Sequence, residues 1–287
     1  MAFNLQTFKT RALSAVVFVI VMLFGLLWNH WSFFILFSII HFGCWMEYQK
    51  LVAKIDPGYG NISSLHKYGV MLAGWGFMLW MTNEAYSFSE FRLEDAGFWM
   101  LVVGAVAVNA EVLFTRKFKL LAHSLLGFVY ISISLGCLID IGNCIVYCED
   151  QRPTVEYVLV IIASIWINDT MAYIVGSLIG KTPLSKISPK KTWEGTIGGA
   201  ILAMIVVPLL VYFLNPFIRW DICLGIAAIA SIFGTLGDLF ESKLKRLAGV
   251  KDSGSMMPGH GGFLDRFDSL LLATPIVWLY LTLLAAF

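Results

Sequence analysis

The stretch TIGGAILAMIVVPLLVYFL, Thr196–Leu214, contains no charged side chain. A helix of about 20 such residues crosses the hydrocarbon of a bilayer and satisfies its own backbone polar groups there. Eight further apolar segments can be drawn: Ala12–Trp28, Trp31–Trp45, Val70–Met81, Phe98–Phe114, Leu120–Ile139, Tyr157–Gly176, Asp221–Gly237 and Ser269–Phe287. Several fall short of about 20 residues, so their ends are expected to extend into flanking polar positions. Val70–Met81 reaches span length only by borrowing from Leu65 to Asn83. The expected fold is therefore all-α: a polytopic membrane helix bundle of about nine transmembrane helices, with no separate soluble domain.

Composition agrees. Hydrophobic residues make up 59% of the 287-residue chain and charged residues only 14%, with a mean hydropathy of +0.78. A soluble domain carries about a quarter charged residues, so that class is excluded. Lys9 and Arg11 ahead of the first apolar run imitate a signal peptide. No small-residue cleavage site leads into a soluble domain, so the first span is expected to stay uncleaved. The five cysteines, Cys44, Cys137, Cys144, Cys148 and Cys223, form no CxxC pair, and a structural zinc site is not expected. Cys144 and Cys148 share one loop and are expected as two free thiols, with a pairing left open.

The basic residues orient the chain. With the N-terminus in the cytoplasm, 17 of the 20 Lys and Arg fall inside, and only Arg92, Arg152 and Arg219 fall outside. Such asymmetry is the ordinary signature of membrane orientation. Two polar loops, Gly180–Gly195 and Ser242–Asp268, then face the cytoplasm. The outer loops Thr82–Gly97 and Asp140–Glu156 are acidic and read as solvated connectors. Two regions are expected: an N-terminal transmembrane region over residues 1–156, and a catalytic region over residues 157–287 holding both polar loops.

The polar loops carry the chemistry. SKLKRLAGVKDSGSMMPGHGGFLDRFD, Ser242–Asp268, is dense in Lys, Arg, Asp and Gly within an otherwise apolar chain. Lys and Arg hold phosphates, Asp holds a hard cation, and Gly admits a ligand close to the backbone. Asp238 and Glu241 end the eighth span three residues apart, on one helix face. Carboxylates at a membrane boundary are costly unless paired or metal-bound. Interfacial acids balanced by Lys243, Lys245 and Arg246 are the plainer account of them. Asp265 and Asp268 open the ninth span with the same spacing, where capping is the ordinary role. Asp238, Asp265 and Asp268 are the expected ligands of one or two Mg²⁺ ions, which prefer oxygen and share their shell with substrate phosphates. His260 is a candidate proton carrier or phosphate contact, with a backbone-bonded turn histidine as the alternative.

The loop GKTPLSKISPKKTWEG, Gly180–Gly195, is rich in lysines and hydroxyls. GSLIGKT, Gly176–Thr182, falls one residue short of P-loop spacing, so that fold is not invoked. Ser188, Lys190, Lys191 and Thr192 could hold a triphosphate, although plain positive-inside charge also explains the lysines. Asp169 lies inside the apolar run of the sixth span, and an intramembrane Asp is functional by default. Glu47 and Glu111 sit at span ends and read as structural.

The segment Ser242–Asp268 resembles the signature of the phosphatidate cytidylyltransferases, or CDP-diacylglycerol synthases. The matching positions are Ser242, Leu244, Lys245, Arg246, Lys251, Asp252, His260, Gly261, Gly262, Asp265, Arg266 and Asp268. Met257 departs mildly from the Leu, Ile or Phe usual in the family. SPKKTWEG at 188–195 and Asp169 also look like family features. The resemblance covers roughly Tyr157 to the C-terminus, and the first five spans match only in being hydrophobic. It implies the reaction of CTP with phosphatidate to give CDP-diacylglycerol and pyrophosphate, with Mg²⁺ and a second cation, in a homodimer. Asp265, Asp238, Lys251, Arg266 and His260 would be catalytic. Ser188, Lys190, Lys191, Thr192, Lys245, Arg246, Asp169, Asp252, Gly261 and Gly262 would bind substrate. The setting would be the inner (plasma) membrane with the site facing the cytoplasm, and no nucleic acid is expected as a partner.

Two other functions fit less well. A CTP-dependent polyprenol or dolichol kinase would need a base for an alcohol nucleophile. An ion-coupled transporter would use Asp169 and Asp238 along an ion path but leaves the glycine- and histidine-containing loop unexplained. The orientation has a direct test: single cysteines at positions 29 and 186 should react with an impermeant thiol reagent from opposite faces. Labelling of both from one face would sink the nine-span reading.

Overall fold

The structure, a computed structural model, describes residues 5–88, 90–116, 118–143, 155–216, 218–256 and 261–286. The helices among these residues are α1 (Leu5–Leu27), α2 (His30–Ile55), α3 (Pro57–Gly60), α4 (Ser64–Trp80), α5 (Leu93–Thr115), α6 (Phe118–Gly127), α7 (Ser134–Asn143), α8 (Val155–Ile179), α9 (Trp193–Leu214), α10 (Trp220–Leu247) and α11 (Leu264–Ala286). A π-helical stretch, Phe128–Ile133, joins α6 to α7. The strands, β1 (Ser87–Phe88) and β2 (Phe91–Arg92), form one short antiparallel pair. Each of the nine expected segments lies on a helix or, for Leu120–Ile139, on the run from α6 to α7. By length and composition six described helical runs can cross a bilayer: 93–114, 118–143, 155–179, 193–214, 220–247 and 264–286. Leu13–Leu27 is a shorter apolar helix. Helix α4 extends Val70–Met81 on its N-terminal side but has only 17 residues and is not among these six runs.

Two compact units divide the chain. One comprises residues 1–139 and 244–267, the other residues 140–243 and 268–287. Residues 244–267 thus pack with the N-terminal helices, across the expected regions 1–156 and 157–287.

In the first unit, Phe37, Cys44, Trp45, Tyr48, Met78, Ile131 and Leu138 are wholly buried. Several polar groups inside this core are paired, as burial favours. Ser132 receives the Trp45 Nε1–H at 2.9 Å and meets His41 Nε2 at 3.1 Å. Helices α4 and α5 approach through small residues. A Cβ on Gly104 would lie 2.8 Å from the Ala73 Cβ and 3.0 Å from the Gly69 carbonyl. Thr82–Gly97 is more than a solvated connector: Tyr86 is fully buried and donates to the His30 carbonyl at 2.9 Å, against the His30 and Trp31 rings.

In the second unit, α8 and α9 meet the same way, because small side chains let two backbones close up where water does not drive association. Thr192 N-caps α9 here, as Asn29 N-caps α2 in the first unit, each accepting a backbone N–H three residues ahead.

Ser242–Asp268, expected as a loop, is a loop only in its middle. Ser242–Leu247 completes α10, and Leu264–Asp268 is the first turn of α11. Lys and Arg suit the last helical turn, where they face the negative end of the macrodipole. The helix then stops in a Schellman motif. Gly249 takes φ 68°, its N–H reaches the Arg246 carbonyl at 3.1 Å, and the Val250 N–H reaches the Lys245 carbonyl at 2.9 Å.

The close α8–α9 approach makes a stability prediction. A Cβ on Gly199 would sit 2.7 Å from the Asn168 carbonyl oxygen and 2.8 Å from the Ala172 Cβ. Gly199→Val should therefore cost about 1–3 kcal/mol, the usual range for overpacking. Thermal melting in detergent reads it. Gly60→Ala, whose new Cβ meets only Ala53 at 3.5 Å, should leave the midpoint unchanged.

Candidate active site

The expected site residues fall into both units. In the first unit the centre is Asp265, on the first turn of α11. Its Oδ1 accepts from Lys245 Nζ at 2.7 Å. Its Oδ2 accepts the Ser253 N–H at 2.8 Å and the Gly262 N–H at 2.7 Å, and lies 2.9 Å from Ser253 Oγ. The Asp265 and Lys245 side chains are 9% and 12% exposed, so the attraction between them is much less screened by water than in a surface ion pair. Gly261 turns the chain at φ 82°, and a Cβ there would also strike the Asp265 carboxylate. Gly262 presents its N–H to the same group. The two glycines therefore shape the loop around Asp265.

A second buried carboxylate holds this loop, and sequence reading passed it over as structural. Glu47 on α2 accepts from Ser253 Oγ at 2.7 Å, the Phe263 N–H at 3.0 Å and the Leu264 N–H at 2.9 Å. Ser253 was likewise not singled out. The signal available was Glu47 inside an apolar helix, the same signal that drew attention to Asp169. Lys251, Asp252, Arg246 and Arg266 are exposed around the loop. His260 and Met257 lie outside the described residues, as do Cys144 and Cys148.

In the second unit, Asp238 and Glu241 on α10 and Asp268 on α11 converge. One carboxylate oxygen from each lies within 4.8 Å of the others. Glu241 is fully buried, Asp268 is 8% exposed, and Asp238 is the most open of the three. Of these, sequence reading named Asp238 and Asp268 as ligands and left Glu241 undecided. The Asp238 side chain also pairs with Lys191 and receives Ser242 Oγ at 3.3 Å. Asp169 on α8 lies within electrostatic reach of both Lys191 and Asp238 and accepts from Asn168 Nδ2 at 3.3 Å.

The loop 180–192 that presents Lys191 is folded back on itself. The Leu184 N–H reaches the Lys191 carbonyl at 2.7 Å, and the Trp193 N–H reaches the Thr182 carbonyl at 2.9 Å. Glu194 receives the Lys181 and Thr182 N–H groups at 3.2 Å, which explains the acid beside the span. Thr192 Oγ1 caps α9 by accepting the Gly195 N–H at 3.2 Å, and the Ser188 carbonyl accepts from Lys191. Lys190 is exposed.

Chemically, the second unit offers three carboxylates, a fourth nearby and a lysine. Hard oxygen donors at this spacing suit Mg²⁺, and a lysine at its edge suits an anionic oxygen.

Comparison with known proteins gives a consistent picture. The profile of the cytidylyltransferase family matches residues 9–284, so the similarity extends through the first five spans as well. A phosphatidate cytidylyltransferase of Staphylococcus aureus (strain COL) is 37% identical over 186 residues, covering 64% of this chain and 72% of the relative. Those of Staphylococcus saprophyticus and Staphylococcus epidermidis are each 38% identical, over 186 and 187 residues, with the same coverage of both chains. The chain belongs to the cytidylyltransferase family.

Proposed function

We propose that this chain is an integral-membrane phosphatidate cytidylyltransferase, which joins CTP to phosphatidate and releases pyrophosphate. The observation that carries the reading is the meeting of Asp238, Glu241 and Asp268 with Lys191 at its edge, in a chain of this family. The phosphatidate phosphate is already an anionic nucleophile. One of its oxygens attacks the α-phosphorus of CTP, the bond from that phosphorus to the β-phosphate bridging oxygen breaks, and pyrophosphate leaves with the electron pair. No Ser or Cys nucleophile and no base are required. The task is to bring anions together and to stabilise charge on the leaving group.

The chain's residues divide that task. Asp238, Asp268 and Glu241 would hold Mg²⁺, which supplies charge neutralisation for the nucleotide phosphates. Lys191, which pairs with Asp238, would hold a phosphate oxygen, with Lys190 and Ser188 beside it on the same loop. Asp169 sets the field around Lys191. Asp265 would serve a second cation in place of the Lys245 ammonium on its Oδ1. Lys251, Arg266, Arg246 and His260 would clamp phosphate, with Asp252, Gly261 and Gly262 shaping the loop that carries them. The acyl chains remain in the bilayer, the head group enters from the cytoplasmic side of a bacterial plasma membrane, and the protein works as a homodimer.

The reading has a decisive test. Purified protein in detergent receives phosphatidate, Mg²⁺ and CTP labelled at the α-phosphate. Label should move into the lipid phase, and EDTA should stop the transfer. Label entering lipid only from γ-labelled CTP would replace the reading with a lipid kinase.

Variants then assign the roles. Asp238→Asn, Asp265→Asn and Glu241→Gln keep shape and remove charge. Each should lower kcat on the order of 10²-fold, as loss of one electrostatic group of the transition state does. A variant with normal turnover and normal Mg²⁺ dependence would strike that residue from the site.

Lys190→Ala and Lys191→Ala should differ from these. At least one should raise the KM for CTP by about tenfold or more, the loss expected of a charge-assisted contact of roughly 1.5–3 kcal/mol. The KM for phosphatidate should hardly move. Unchanged CTP kinetics in both variants would reduce the pair to topology signals.

A further inference from the structure

Glu47 belongs to a helix that the signature does not reach, yet its carboxylate fastens both ends of the signature loop. Ser253 stands near the loop's start, and Phe263 and Leu264 close it. The Leu264 N–H is the first of α11 and the Phe263 N–H immediately precedes it, and such groups at a helix start have no partner within the helix. A carboxylate there satisfies them and meets the positive end of the helix dipole. Ser253 Oγ lies 2.7 Å from Glu47 and 2.9 Å from Asp265 and has one proton to give, so this hydroxyl couples the two carboxylates. The neighbouring glycines fit the same arrangement. A Cβ on Gly254 or on Gly262 would collide with the Glu47 carboxylate. Glu47 is 6% exposed, so it is placed to act through the loop rather than on substrate.

We propose that Glu47 is a positioning residue of the cytidylyltransferase site, holding Ser253 and the Phe263–Leu264 turn together in the arrangement that receives CTP. The inference rests on the function proposed above. Its consequence is a particular kinetic pattern. A loop that is formed only part of the time binds nucleotide with an apparent affinity reduced by that fraction, and saturating nucleotide restores it. Gln at position 47 keeps the shape of Glu. Its amide nitrogen faces donors where a carboxylate oxygen accepted from them, so at least one of the three hydrogen bonds is lost.

Glu47→Gln should therefore raise the KM for CTP by about tenfold or more, while kcat at saturating CTP and the KM for phosphatidate stay within about twofold. Backbone amides of 251–256 and 261–264 should exchange with deuterium faster in the nucleotide-free variant than in wild type, and CTP should restore their protection. Ser253→Ala removes one donor and should give a smaller rise in the same KM. The double variant should fall short of the product of the two singles, because both act on one network.

An unchanged KM for CTP in Glu47→Gln overturns the proposal. So does a parallel shift of kcat and both KM values with loop exchange unaltered. If Glu47→Gln does not fold, Ser253→Ala decides, and normal CTP kinetics there overturn the proposal. If the wild-type chain transfers no cytidylyl group, the proposed function fails, and exchange alone judges the clamp: faster exchange at 251–256 and 261–264 in Glu47→Gln supports it, and equal exchange overturns it.

Discussion

A carboxylate beside a bilayer needs a partner. Removing an unpaired charge from water costs more than a membrane protein's marginal stability can absorb. That constraint explains most of the polar architecture. Asp265 has Lys245, two backbone N–H groups and a hydroxyl. Glu47 has two backbone N–H groups and the same hydroxyl. Glu194 has the N–H groups of Lys181 and Thr182, Asp140 has the Trp278 indole at 2.6 Å, and Asp238 has Lys191. Where three carboxylates come together, at Asp238, Glu241 and Asp268, the geometry suits a divalent cation.

The same constraint shapes the backbone. Buried carboxylates seek N–H donors, and the richest supply lies where helices begin and loops turn. The chain near Asp265 and Glu47 is accordingly drawn in close, and positions 254, 261 and 262 have no room for a side chain. Glycine in this loop thus serves close approach to carboxylates of the protein. At Gly249 the need is different: the position is open, and the left-handed backbone that ends α10 is what favours glycine.

These arrangements also fit phosphoryl-group chemistry. A site that handles CTP and a lipid phosphate must gather anions without collapsing when they are absent. A lysine stands beside each of two such carboxylates, Lys191 at Asp238 and Lys245 at Asp265, and an ammonium of this kind also pairs with phosphate oxygens.

The sequence by itself determined the helical membrane fold, because long apolar runs in lipid leave the backbone few choices but a helix. It also singled out the polar segment between Ser242 and Asp268 as the candidate site, since Lys, Asp and Gly crowded there have no role in lipid. It named Asp238, Asp265 and Asp268 as candidate ligands, from carboxylates at the expected end of one span and the start of the next, although α10 runs on past Asp238 to Leu247. Only the tertiary structure decided which carboxylates meet. Glu241 joins Asp238 and Asp268, Asp265 turns to Lys245, and Thr192 caps a helix. Glu47 was the least legible of all. Its partners Ser253, Phe263 and Leu264 lie more than two hundred residues away, and two of the three offer backbone N–H groups. Every residue but proline has such a donor, so nothing in the side chains of positions 263 and 264 announces the contact, and only the folded chain could bring it about.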